Sequence, residues 1–200
     1  MRTPISILAA LLLWLAVSLV AARLGLLATA PGAAIALVNF GLTAFSLALV
    51  AGVPSVRQWA AGVSLRPLVA YHLVRFVGLA FLAFAVAGRL PAEWAVKAAW
   101  GDIAVAILAG FVAMFFLPVV SLRRWLVLFL WNLVGLADIA FVLATGIPIA
   151  VRDVSAMSPL REWPLVLLPT FVVPLILVTH VVIFVRLFKG REAMALRQTL

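Results

Sequence analysis

The sequence predicts an all-α integral membrane bundle of about six transmembrane helices, joined by short loops and short interfacial helices. Apolar residues make up 68% of its 200 residues and charged residues only 10%, whereas soluble domains are roughly half apolar and a quarter charged. The mean hydropathy is +1.31. Apolar runs close to the roughly 20 residues needed to cross a bilayer recur along the chain. We therefore expect one transmembrane domain over residues 1–200 and no soluble domain.

Charge and residue usage exclude several classes of protein. The chain has 15 Lys and Arg against 6 Asp and Glu, but these cations stand singly or in pairs between apolar runs. That pattern favours a lipid bilayer as partner and not nucleic acid. The absence of cysteine excludes disulfides, thiolate metal sites, iron–sulfur clusters and covalent c-type haem. With no Walker loop, HExxH or GxSxG motif in the sequence, a non-enzymatic protein is favoured.

The first half of the chain predicts three spanning helices. The first covers residues 5–22, which is longer than the apolar core of a signal peptide, so we expect it to be retained. The second covers residues 33–50. Residues 55–66 place apolar side chains at helical spacing among polar ones, which is typical of a short helix in the headgroup plane. The third spanning helix, residues 67–88, begins at a proline, which suits a first helical position.

The second half predicts three more spanning helices. Residues 91–100, PAEWAVKAAW, mix tryptophan with Glu and Lys as interfacial segments do. The remaining predicted helices cover residues 102–120, 125–145 and 164–187.

The distribution of cations predicts the topology. Six spans put nine cations on one side, namely Arg2, Arg57, Arg66, Arg123, Arg124, Arg186, Lys189, Arg191 and Arg197, and five on the other, namely Arg23, Arg89, Lys97, Arg152 and Arg161. By the positive-inside rule, both termini are cytoplasmic, and we expect a bacterial inner membrane.

Three polar residues are predicted to meet within the bundle. Counted at about 1.5 Å per residue, His72, Asn132 and His180 lie at nearly the same depth in the third, fifth and sixth helices. A polar side chain is unfavourable alone in hydrocarbon. We therefore predict one polar pocket open to the cytoplasm, with the two imidazoles within about 12 Å of each other.

The two histidines admit three interpretations. They could hydrogen-bond neighbouring groups and only join helices. They could bind a proton or a small ligand. They could also hold a metal as the axial ligands of a b-type haem, His72 on one side and His180 on the other. A closed zinc site would need Asp138 as a further ligand, and its depth argues against that.

The other polar positions have structural interpretations. Asp138 is predicted to pair with Arg75, the alternative being an aspartate that binds a cation or relays a proton. Asp102, directly after Gly101, is predicted to cap the start of its helix. Pro174 lacks the amide that would bond the Thr170 carbonyl, so this carbonyl must face protein or a cavity.

The segments Tyr71–Arg75 (YHLVR), Trp131-Asn132 and Pro169–His180 (PTFVVPLILVTH) resemble a family of small uncharacterised bacterial polytopic inner-membrane proteins. The resemblance covers the third to sixth helices and implies the source and the layout, without assigning a cofactor or substrate. Three functions therefore remain open: a transporter-like or sensor-like protein with a polar site, a b-type haem electron carrier, and a structural bundle that binds a membrane-protein partner or a second copy of itself.

Overall fold

The computed structural model describes the backbone of residues 3–198 and the side chains of residues 3–190. Three cations of the predicted topology, Arg2, Arg191 and Arg197, lie outside the side chains so described. Within the described part of the chain every regular element is helical, and no strand is present.

The first two long helices are α1, Ile5–Arg23, and α2, Gly32–Gly52. They are followed by the short amphipathic helix α3, Pro54–Gly62, at the position of the predicted interfacial helix. Large apolar side chains on α1 and α2 are exposed, among them Leu13 and Leu37. These two helices therefore lie at the periphery of the bundle.

The third apolar segment changes its winding halfway. It consists of α4, Leu65–Ala70, a 3₁₀ helix, Tyr71–Val77, and α5, Gly78–Val86. The Ser64 hydroxyl caps α4 by accepting a bond from the Arg66 amide at 3.3 Å. The tighter 3₁₀ turn carries His72 and Arg75, both completely buried.

Helix α6, Ala92–Phe115, begins ten residues earlier than predicted. Residues 91–100 are therefore not a separate interfacial segment but the first turns of a spanning-length helix. Ala95, Ala98 and Ala99 are all fully buried, since their small side chains let neighbouring helices approach closely. Tryptophan in this stretch indicated an interface, but Trp94 packs into the core.

Helix α7, Leu122–Arg152, has 31 residues and extends the prediction at both ends. The last long helix begins with a π-helical segment, Leu168–Val172, and continues as α8, Val173–Gln198. A short 3₁₀ helix, Ser158–Arg161, lies between α7 and the π-helical segment.

Six helices in the described chain are long and apolar enough to cross a membrane. They are Ile5–Arg23, Gly32–Gly52, Leu65–Val86, Ala92–Phe115, Leu122–Arg152 and Leu168–Gly190.

Two large apolar clusters form most of the core, with a polar layer between them, and a third, smaller cluster comprises Ala60, Val178 and Val182. On α6, Asp102 falls between Ala99 of one cluster and Val105 of the other. On α8, His180 falls between Ile176 and Ile183 in the same way. The candidate site is therefore enclosed above and below by packed apolar side chains.

Candidate functional site

Arg75 is the centre of a buried ion-pair network. Its side chain is 0% exposed, and each guanidinium nitrogen has a partner. Nε donates to Asp102 Oδ1 at 2.6 Å, Nη1 donates to the Gly135 carbonyl at 2.8 Å, and Nη2 donates to Asp138 Oδ2. The predicted pair between Arg75 and Asp138 is confirmed, and Asp102 is a second carboxylate on the same cation.

Asp102 does not cap a helix, so that prediction was wrong. Helix α6 starts at Ala92, with Pro91 in the capping position, and Asp102 lies three turns inside. The sequence interpretation began the helix at Gly101-Asp102, but this glycine has a packing role inside the helix: a Cβ there would overlap Asp138 Oδ1. Gly101 thus lets the α7 carboxylate come against the α6 backbone.

The Arg75 network is not electrically neutral by formal count. With both carboxylates ionised, Arg75, Asp102 and Asp138 together carry one net negative charge. Asp138 is the more accessible carboxylate, since its side chain is 15% exposed against 6% for Asp102.

The two histidines are in direct contact. The ring centroids of His72 and His180 lie 4.2 Å apart with the ring planes at 48°, well inside the predicted limit of about 12 Å. Asn132 binds His180 twice, because its Nδ2 donates to the His180 carbonyl at 3.0 Å and its Oδ1 lies 2.8 Å from His180 Nδ1. His180 Nδ1 therefore carries the hydrogen and Nε2 a free lone pair.

His72 is held by a residue that the sequence interpretation did not select. Its Nε2 lies 3.1 Å from Thr179 Oγ1, and the Thr179 hydroxyl donates to the Leu175 carbonyl at 2.8 Å. With the hydroxyl hydrogen used in this way, His72 Nε2 is the donor to Thr179. Within the described residues, His72 Nδ1 and His180 Nε2 have no hydrogen-bond partner.

Gly135 joins the histidines to the charged network. Its carbonyl accepts the bond from Arg75, and a Cβ on Gly135 would lie 2.7 Å from His180 Cε1. We call the joined set the buried polar cluster, which comprises His72, Arg75, Asp102, Asn132, Asp138, Thr179 and His180.

The histidine pair and Asn132 converge as predicted but do not line an open pocket. His72, Asn132 and His180 are each 0% exposed and pack against one another and against Trp131. The helix spacing that placed them at one depth was a sound guide to contact. It could not show that aromatic and apolar neighbours fill the space around them.

The residues do not fit a bis-histidine haem. A metal between two imidazoles needs a metal–nitrogen bond of roughly 2 Å to each ring, and a macrocycle must fit between the rings. Rings with centroids 4.2 Å apart leave no layer for it. Among the described residues there is also no group of three or more His, Cys, Asp or Glu positioned to hold a metal ion.

The carbonyls near Pro174 are bonded by peripheral helices. The Thr170 carbonyl accepts from Trp14 Nε1 at 2.8 Å and from Ser18 Oγ at 3.3 Å. The Pro169 carbonyl accepts from Asn39 Nδ2 at 3.3 Å. The Thr170 carbonyl therefore faces protein, as predicted, because α1 supplies two donors. Neither of these donors, Trp14 and Ser18, was selected from the sequence.

A large groove lies next to the buried polar cluster. It has a volume of about 680 Å³ and lies between α1, α2, α3 and α8. Its walls are mainly apolar, and Ala10, Phe45 and Val178 are typical lining residues. Thr179 lines the groove and bonds His72 as well, so it is the point where the groove meets the buried polar cluster.

Comparison with known proteins identifies a family but no function. No curated protein and no solved structure matches the chain. Residues 31–188, which include every member of the buried polar cluster, match the model of a domain of unknown function, DUF8737. The chain therefore belongs to the DUF8737 family.

Proposed function

We propose that the chain is a multispan membrane protein whose buried polar cluster binds one exchangeable proton, in a transporter-like or sensor-like role. The carrying observation is the pair of unpartnered imidazole nitrogens, His72 Nδ1 and His180 Nε2, in a buried polar cluster whose other members are hydrogen-bonded to one another or to the backbone. The exposed apolar faces of the six long helices support contact with a lipid bilayer. The resemblance to a bacterial family supports a bacterial inner membrane, and the excess of cations on one side supports a cytoplasmic position of both termini.

Charge balance explains why a proton is the ligand. The Arg75 network carries one net negative charge when both carboxylates are ionised, and a net charge in an apolar interior is unfavourable. One added proton brings the buried polar cluster to zero. Imidazole is the side chain that exchanges a proton most readily near neutral pH, and the pair offers two free lone pairs.

Thr179 would connect the proton to the groove. A proton on His72 Nδ1 strengthens the bond that His72 Nε2 donates to Thr179, because the donor is then charged. Thr179 lies in the wall of the groove, so protonation alters a surface that an apolar molecule would contact. The other ionisable groups facing the pair are Arg75, whose two carboxylates are part of the same network, and Tyr71, whose ring centroid is 6.2 Å from that of His72.

The sequence offers a direct test, because the chain has only two histidines. Full-length protein labelled with ¹⁵N-histidine would be reconstituted in liposomes and studied by solid-state NMR from about pH 8 to about pH 5. We expect one imidazole of the pair to gain a proton, and Asp138→Asn to reduce that uptake because it removes the negative charge. Asp153→Asn, an exposed change outside the cluster, is the control and should leave the titration unaltered.

Proton flux in the same liposomes then separates the two roles. Flux driven by a pH gradient and lost in His72→Gln supports a transporter, and protonation without flux supports a sensor. Two imidazoles that stay neutral over the whole pH range would contradict the proposal and leave a structural bundle.

A further inference from the structure

A second, smaller cavity lies away from the buried polar cluster. It has a volume of about 110 Å³, is open on one side, and is lined by α2, α6, α7 and the residues around the π-helical segment. Its walls are almost entirely apolar, with Phe81, Trp94 and Val142 among them. Two polar side chains interrupt these walls, Arg161 and Asn39.

Arg161 is a buried cation without a carboxylate. It is 3% exposed, its Nη1 donates to the Ala30 carbonyl, and its Nη2 has no partner. Burial lowers the pKa of Arg161 from its usual value, but a guanidinium remains charged in proteins. It lies outside the six helices that could cross a membrane.

The acidic residues with described side chains are all engaged elsewhere. Asp102 and Asp138 bind Arg75, Glu162 binds Arg89, Glu93 binds Lys97, and Asp153 binds Ser155. A buried charge is strongly unfavourable unless it is paired. Arg161 Nη2 therefore lacks an anionic acceptor, and these acidic residues do not supply one.

Asn39 has a hydrogen-bond acceptor without a partner. It is also 3% exposed, and its Nδ2 is used by the Pro169 carbonyl while its Oδ1 has no partner. Arg161 bonds the carbonyl just before α2, and Asn39 lies seven residues into α2 from Gly32, a rise of roughly 10 Å. Both side chains line the cavity, which thus offers a free cationic donor and a free acceptor among apolar walls.

We propose that this cavity binds a small carboxylate with a short aliphatic or single-ring body. The carboxylate would accept from Arg161 Nη2, a charge-assisted bond, and the body would pack against Trp94 and Phe81. A hydroxyl or amine at the far end of the ligand would donate to Asn39 Oδ1. At about 110 Å³ the cavity is smaller than the roughly 150 Å³ that holds benzene, so it restricts the ligand to a small body, part of which would extend through the open side of the cavity. The site is independent of the proton bound by the buried polar cluster.

The test uses benzoate as the probe and benzyl alcohol as its uncharged counterpart. Binding to full-length protein in detergent would be measured by isothermal titration calorimetry. We expect saturable binding of benzoate, at least about tenfold tighter than that of benzyl alcohol because only the carboxylate pairs with Arg161. Arg161→Gln should lose this preference, Arg161→Lys should keep part of it because the charge remains, and Arg152→Gln, an exposed change at the end of α7, should bind as the unaltered protein does.

A second pair of variants tests the cavity without touching the charge. Ala36→Leu fills the cavity from α2 and should abolish benzoate binding, whereas Ala33→Leu makes the same change at an exposed position of α2 that does not line it. Absence of saturable benzoate binding, or binding that survives both Arg161→Gln and Ala36→Leu, would overturn the proposal. The histidine NMR titration should be unchanged in Ala36→Leu, so failure of this site and failure of the proton site are distinguishable.

Discussion

The imidazoles of His72 and His180 lie 4.2 Å apart, centroid to centroid, and Trp131 closes over both rings at 5.1 and 5.9 Å. Gly135 approaches His180 as well. The Trp131 ring and the absence of a side chain at Gly135 therefore determine the space that the two imidazoles occupy.

The first prediction follows from Gly135. Gly135→Ala places a methyl group 2.7 Å from His180 Cε1, so the ring must move or the helices must separate. We expect destabilisation of about 1–3 kcal/mol, as for other overpacked core sites. Reversible unfolding in detergent would measure it.

Gly41→Ala is the matched control. It makes the same substitution inside α2, where an added Cβ would meet nothing within 4 Å. Its effect should be neutral or stabilising by up to about 1 kcal/mol, because alanine favours helix more than glycine does. Equal effects of the two substitutions would show that helix propensity, and not the histidine contact, sets the cost at Gly135.

The second prediction concerns the coupling within the Arg75 network. Arg75→Gln should destabilise the bundle by about 3–5 kcal/mol, since it leaves two buried carboxylates uncompensated, whereas Asp102→Asn should cost less because Asp138 still pairs with Arg75. The double variant should be destabilised by less than the sum of the two single effects. A double-mutant cycle of unfolding free energies measures the coupling.

The exposed pair Glu93 and Lys97 provides the control cycle. These residues are four apart on α6 and bond at 3.2 Å with both side chains exposed, so their coupling should be about 0.3–0.5 kcal/mol. Strictly additive effects at Arg75 and Asp102 would mean that the two side chains do not stabilise each other.

The third prediction concerns the attachment of α1. Trp14→Phe keeps the aromatic body but removes one of the two donors to the Thr170 carbonyl, which should cost about 0.5–1.5 kcal/mol because Ser18 still bonds that carbonyl. Trp100→Phe, at a 60% exposed position of α6, should cost much less. Unfolding free energies that fall equally in both variants would argue against the Thr170 bond as the anchor of α1.

The fourth prediction concerns topology. Reporters fused after Leu200 or inserted between Arg123 and Arg124 should be cytoplasmic, and a reporter near Arg152 should be external, because cations concentrate on the cytoplasmic side. An external reporter after Leu200 would mean that the first helix is cleaved, that the spans are miscounted, or that the six helices have the opposite orientation.

The fifth prediction concerns the loop after α7. Hydrogen bonds from the Ser155 hydroxyl and amide hold the pKa of Asp153 below its ordinary value of 3.8, with a further bond from the Ala156 amide. A carboxyl with a depressed pKa stabilises the fold above its ordinary pKa, and this contribution is lost as the pH falls through the depressed value. Protection of the Ser155 amide against hydrogen exchange should therefore persist at neutral pH and decline only under strongly acidic conditions. Asp153→Asn should make it independent of pH over that range.

The helical architecture could be predicted from the sequence because apolar length and charge placement determine it locally. Six apolar runs predicted six long helices, and the depths of His72 and His180 predicted their proximity. The start of α6 was missed because Trp94 and Lys97 look interfacial in sequence, although only Lys97 faces outward. Because the start of α6 was placed near Gly101, Asp102 was misassigned as the cap of the helix.

The partners of the site could not be predicted from spacing within single helices. Thr179 and Trp131 meet His72 because three elements cross, and the direction in which each side chain points depends on packing that one helix does not specify. Arg161 was counted only as a flanking cation, since nothing in the sequence shows that a loop arginine folds back into the protein.

Two donors one turn apart, Trp14 and Ser18, reach the single Thr170 carbonyl. Because a bilayer provides little hydrophobic drive between helices, this shared acceptor fixes both the rotation of α1 about its axis and its vertical position. The opposite side of α1 is not packed against the bundle, since the side chains of Leu12 and Val17 are exposed. Substitutions by other apolar residues should therefore be tolerated around most of its circumference, while the two hydrogen bonds to the Thr170 carbonyl hold the helix against the π-helical segment.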